Sequence, residues 1–124
     1  MEEEVSDHRH TRPLSLVEIE ERIQRVMDAM EEETEEYDDI ARSAALAEAE
    51  YRRQSAYALL AVIEHGDKMT VAERQARADL MSHDAHKDHL IRQATRNSKR
   101  EHLQTLRGIL DSLRTLNASI RGQS

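Results

Sequence analysis

The chain of 124 residues has no cysteine, no phenylalanine and no tryptophan, and it holds one proline, three glycines and three tyrosines. Without cysteine there is neither a disulfide nor a thiolate zinc site. Strands lose their preferred aromatic residues, and with so little glycine and proline nothing breaks a helix over long runs. The expected class is therefore all-α and elongated. Long apolar runs are missing too. The opening MEEEVSDHRHTR is acidic and polar and offers no stretch for a signal peptide or a membrane span, so the expectation is no membrane contact and a place in the cytoplasm. There is no glycine-rich phosphate loop, no nucleophile elbow and no carboxylate pair set in a pocket-forming motif. The reading is that the protein is not an enzyme and takes no cofactor.

What the chain has in quantity is charge, unevenly placed. Residues 1–50 carry 17 acids against five arginines, and residues 51–124 carry 13 bases against eight acids. Such asymmetry implies either neutralisation within the chain or a polar contact with a partner.

Residues 1–12 read as a disordered acidic tail, and 13–121 as a helical hairpin with helices at 15–65 and 70–121 joined by a turn at 66–69. The first helix has a clear start. Ser15 and Glu18 form a capping box, with Leu14 and Ile19 placed as a hydrophobic staple. Leu16, Ile19, Ile23, Val26, Met30, Tyr37, Ile40, Ala44, Ala47, Tyr51 and Ala58 then keep an a/d pattern, interrupted at Glu33 and Gln54. Ala44, Ala45, Ala47 and Ala49 are small enough for close approach of a neighbour. Gly66 suits the left-handed position that ends a helix, and Thr70 with Glu73 is a second capping box. Gly108 lies inside the second helix and marks a possible close contact.

In that second helix Leu103, Leu106, Leu110, Leu113 and Ile120 form an apolar seam. Arg100, Arg107, Arg114 and Arg121 recur every seven residues, preceded by Arg92, Arg96 and Lys99. A seven-residue interval drifts by only about 20° per step, so these side chains form a slowly winding basic ridge. Folding about residue 67 places residue i beside roughly 135 − i. Arg96, Lys99 and Arg100 then fall opposite the acidic run Glu31 to Asp39. The ridge either meets phosphates or is neutralised by the chain's own acids.

Other constellations are weaker. His83, Asp84, His86, Asp88 and His89 crowd one segment, but histidines at i, i+3 and i+6 splay over about 120°, unlike the i, i+4 pair of a helical zinc site. Solvated or interface histidines are the expectation, with no metal. Tyr37 and Tyr51 lie on the seam, and Tyr57 is the freer ring. Arg52, Arg53 and Lys68 are lesser candidates for a basic patch. Val17, Met27, Leu46, Leu60, Ile63, Leu80, Met81, Ile91, Ile109 and Leu116 lie off the seam. They imply a second buried face, most simply covered in a homo-oligomer built as a bundle or ring of hairpins.

The turn GDKMTVAERQARADL and the end SKREHLQTLRGILDSLRTLNASIR give residues 37–121 a pattern that resembles short helical proteins of tailed bacteriophages, which are similar in turn to UvsY-type recombination mediators. The resemblance implies an oligomer that binds single-stranded DNA without sequence specificity. It would assist loading of a recombinase onto strands covered by single-strand-binding protein, in a host cytoplasm. On that reading Arg92, Arg96, Lys99, Arg100, Arg107, Arg52, Arg53 and Lys68 contact the strand, while Ile23, Val26, Met30, Tyr37, Ile40, Tyr51, Leu103, Leu106, Leu110 and Leu113 hold the core and oligomer. The alternative is a coiled-coil adaptor or inhibitor that acts through protein contacts, its basic ridge neutralised by its own acidic stretch. The state of Arg96, Lys99 and Arg100 separates the two.

Overall fold

A computed structural model describes residues 14–65 and 68–123. The expected tail at 1–12 and the helix-ending Gly66 lie outside these described residues. Three α-helices account for nearly all of the rest: α1 (Leu16–His65), α2 (Val71–Met81) and α3 (His83–Gln123). The class is all-α, and among the described helices none is long and apolar enough to cross a membrane.

Both helix starts follow from their caps. The Glu18 N–H donates to Ser15 Oγ at 3.2 Å, and the Glu73 N–H donates to Thr70 Oγ1 at 3.1 Å. Each hydroxyl thus satisfies one of the amide groups that a first helical turn leaves without a partner. Ile19, the expected staple partner of Leu14, is fully buried.

The second helix departs from expectation. It is not continuous from 70 to 121 but is divided at Ser82, whose φ of −102° and ψ of 10° leave the helical region. Ser82 is buried, and its Oγ donates to the Ala78 carbonyl at 2.9 Å, the same carbonyl that its N–H reaches at 3.1 Å. A serine bonding back to the preceding turn in this way often bends a helix, although Thr95 and Thr115 make the same bond inside α3 without dividing it. The ladder resumes where the His86 N–H meets the Ser82 carbonyl at 3.0 Å.

The chain forms two compact units. One combines the described residues up to Glu32 with those from Leu103 onward. In it Ile19 and Leu110 are buried, and Ile23, Val26, Met30, Leu103, Leu106, Leu113 and Ile120 are half-buried, as the apolar spacing requires. Arg121 Nη2 donates to Glu20 Oε1 at 2.6 Å, so the end of α3 lies beside the start of α1.

The other unit, Glu33–His102, is a helical hairpin. Ala58, Val62 and Ala78 are its buried cluster, with Leu59 and Met69 packed against it, and Ala44 and Ala47 are buried farther along. Ala45 and Ala49, expected to admit a neighbouring helix, instead face outward. They sit off the stripe that Ala44 and Ala47 share with Tyr51 and Ala58. Lys99 meets Glu36, and Arg92 donates to Ser43, so the antiparallel register is the one in which residue i faces 135 − i.

Among the described residues Gly108 makes no close contact. A Cβ built there meets nothing within 4 Å, so the expected close approach is absent. Two residues on, Leu110 is buried. Denaturant unfolding should therefore give opposite signs within one turn. Gly108→Ala gains about 0.5–1 kcal/mol by restricting the unfolded chain, and Leu110→Ala loses about 2–3 kcal/mol by leaving a cavity.

Candidate functional site

The basic residues of the ridge do not share one fate, and the heptad decides which goes where. Counting back from Leu103 in steps of four and three gives Lys99 and then Arg96, both half-buried on the stripe that α3 turns toward α1. These two occupy seam positions. The next step back is Arg92, exposed yet in reach of α1, while Arg100 and Arg107 stand outside the seam.

Within the unit Glu33–His102 the seam therefore has a polar stretch. Lys99 Nζ donates to Glu33 Oε2 at 2.5 Å and to Glu36 Oε2 at 2.7 Å. The Lys99 and Glu33 side chains are only 25% and 20% exposed, so the ammonium is partly stripped of water and its two carboxylates replace it. The hydrogen bond from Lys99 is the main reason that the Glu33 carboxyl is held below its ordinary range, and the nearby His102 adds to it. Lys99 is held above its ordinary range, first by its bond to Glu33 and then by that to Glu36. Arg96 lies one turn earlier, with its Nε buried and without an acceptor. An open groove of about 600 Å³ runs alongside, lined by Glu33, Ala94, Thr95, Ser98, Lys99 and His102.

Arg92 holds both oxygens of Asp88 through its Nε, at 3.0 and 3.1 Å, and reaches Ser43 on α1 through Nη1. Arg52 pairs with Glu48 at 2.7 Å and Arg53 with Glu50 at 2.6 Å, both within α1. Arg53 together with Gln54 lowers the Glu50 carboxyl to about 2. The Arg53 guanidinium also sits 5.7 Å from the Tyr57 ring centroid. Arg100 and Arg107 are exposed and make no ion pair among the described residues, and Lys68 is exposed just before α2. Within the unit Glu33–His102 the candidates for strand contact differ in state: Arg52, Arg53, Arg92 and Lys99 are paired, and Arg100 and Lys68 are exposed without an ion pair among the described residues.

The histidine segment contains a contact that residue spacing did not suggest. Tyr51 stacks on His86 at 4.5 Å between centroids with planes 15° apart, and on His89 at 5.6 Å with planes 12° apart. The i, i+3 spacing that spoils a metal site puts two flat rings against one tyrosine across the seam. The signal available beforehand was the antiparallel register itself, which sets residue 51 near 84, about half a turn from His86 and a turn and a half from His89. Among the described residues no group of three or more His, Asp or Glu could hold a metal ion. Tyr37 is half-buried on the seam, and Tyr57 is the exposed ring.

Chemically, the polar stretch is a fixed charge cluster. Lys99 donates two charge-assisted bonds at once, which leaves it a poor base and a good clamp. No family model matches the chain, and neither a curated protein nor a solved structure does.

The clamp has a pH signature. Glu33 is depressed when folded, so its contribution is present above the ordinary value of 4.5 and is lost as pH falls through the lowered one. Lys99 is raised, so its contribution holds below 10.5 and is lost as pH rises through the higher value. In thermal melts Lys99→Met should be less stable than the native chain near neutral pH, and the gap should close on strong acidification and again on strong alkalinisation. A gap that stays constant across pH would refute the clamp.

Proposed function

We propose that the protein is a non-enzymatic helical interaction protein that acts through protein–protein contacts made by the outer faces of its helices. One observation carries this reading. Lys99, central to the basic ridge, is clamped between Glu33 and Glu36, so two acids of the run Glu31 to Asp39 hold the hairpin and neutralise one member of the ridge, while Arg100 stays unpaired among the described residues. Large apolar side chains also stand outside the seam. Leu46, Leu60, Val71, Leu80, Met81 and Ile91 are all more than half exposed in the unit Glu33–His102. On α1, Leu46 and Leu60 recur two heptads apart, and large apolar side chains repeated along one helix face suit packing by another protein.

A second reading rests on a different observation. Arg107 and Arg114, one heptad apart on α3, are exposed and make no ion pair among the described residues. Two unneutralised guanidinium groups at that spacing suit a phosphate backbone. With the resemblance to UvsY-type mediators, this supports an oligomeric single-stranded-DNA-binding accessory protein of phage recombination, with a recombinase or single-strand-binding protein as its partner.

Fluorescence anisotropy of a labelled single-stranded oligonucleotide, titrated at several salt concentrations with mass followed by light scattering, separates the two. The expected result is no salt-sensitive binding. If binding weakens steeply with salt and is abolished by Arg107→Glu with Arg114→Glu, the interaction-protein reading fails and the mediator reading replaces it.

A further inference from the structure

The exposed side of α1 carries a second heptad stripe. Leu46, Ala49, Arg53, Ala56, Leu60 and Ile63 follow one another at intervals of three, four, three, four and three, and all six are exposed. Leu46, Leu60 and Ile63 are 66%, 58% and 45% exposed. In this frame the inward Tyr51 and Ala58 take the position farthest from the stripe, so α1 has one seam for α2 and α3 and a second that nothing in the hairpin covers.

We infer that this stripe is the docking surface for a second copy of the chain, packed antiparallel about a two-fold axis between Gln54 and Ser55. That axis sets Leu46 against Ile63 of the second copy, Ala49 against Leu60, and Arg53 against Ala56. Every layer then pairs an a position with a d position, as antiparallel coiled coils do, and two of the three set a large side chain against an alanine. The charges agree with the same axis. Arg42, one heptad before Ala49, comes within one turn of Glu64 of the second copy, and symmetry repeats this at the other end. Neither residue has an ion pair among the described residues, so both are available to the contact. A parallel pairing is disfavoured by the same residues. It would stack Arg53 on Arg53, Arg42 on Arg42 and Glu64 on Glu64. Tyr57 flanks the central layer, where the Glu50 carboxylate of the second copy can accept its phenol hydrogen.

The stripe is about 27 Å long at 1.5 Å per residue. A contact of that length covers on the order of 1,000 Å² over both copies, at the low end for a specific interface. A contact of that size fits a reversible dimer whose population depends on concentration. This inference deepens the protein-contact reading by naming a partner.

The chain has no cysteine, so introduced thiols report cleanly. Ala49→Cys and Leu60→Cys in one chain lie about 16 Å apart on the same helix and cannot bridge to each other. Under mild oxidation the double variant should cross-link to a covalent dimer, and each single variant should not. Sedimentation should show a native dimer whose dissociation constant rises at least tenfold in Leu60→Glu, with helicity by circular dichroism unchanged. Arg42→Glu should weaken it several-fold, and adding Glu64→Arg should restore it. Three results overturn the inference: a native chain that stays monomeric at hundreds of micromolar, cross-linking of Ala49→Cys alone, or a dimer indifferent to Leu60→Glu. Any of these leaves the broader protein-contact reading to the DNA titration. Strand binding by an intact antiparallel dimer would do the reverse.

Discussion

A lysine at a seam position imposes a demand that a leucine does not. Its ammonium, partly withdrawn from water, is best served by carboxylates within hydrogen-bond distance, and a register that leaves it without them costs stability. Lys99 has two, Glu33 and Glu36. Slide α1 by one heptad against α3 and they are replaced by Ile40 and Ser43, leaving the charge with no anion on the facing stripe. The alanine-lined part of the same hairpin would tolerate such a slide, because one small apolar residue fits much like another. Charge therefore fixes the register that the alanines leave loose, and Arg92, bridging Asp88 and Ser43, fixes it a second time.

The aromatic contact belongs to the same economy. With no phenylalanine or tryptophan in the chain, only tyrosine can fill a wide place in the seam. Tyr51 does so between Ala47 and Ala58, both buried, and its face needs a flat surface opposite. The imidazoles of His86 and His89 supply it, stacked nearly parallel to the phenol ring. Small residues bring the helices close, and the one large residue is met by planar side chains that occupy little depth.

Much of this was legible from spacing. The caps at Ser15 and Thr70, the all-helical class, the leucine seam from Leu103 and the antiparallel register follow from hydroxyls, glycine scarcity and heptads. The fate of the ridge was partly legible. Leu103 minus four is Lys99, and that step assigns the residue to the seam, but a count of positive charge groups it with Arg100, which lies outside. The break at Ser82 was not legible, because serine is tolerated within helices and its effect depends on a burial that only packing decides. Gly108 was misread for a related reason. Glycine within a helix often answers a close neighbour, yet here nothing approaches.

Large aliphatic side chains usually go to the more buried of two helix faces. Along the second half of α1 the order is reversed. The inner stripe holds Ala44, Ala47, Ala58 and Val62, while Leu46, Leu60 and Ile63 stand in solvent. Burying one such leucine is worth roughly 1.5–3 kcal/mol, so a hairpin selected only for its own stability would keep leucines within. Scattered exposed leucines need no explanation, but these three stand at the two ends of one heptad stripe whose middle is Ala49, Arg53 and Ala56. The alanines draw the hairpin together at little depth, and the larger residues are set aside for the opposite surface. The distribution of side-chain size in α1 thus supports a helix shaped by two neighbours, one in its own chain and one outside it.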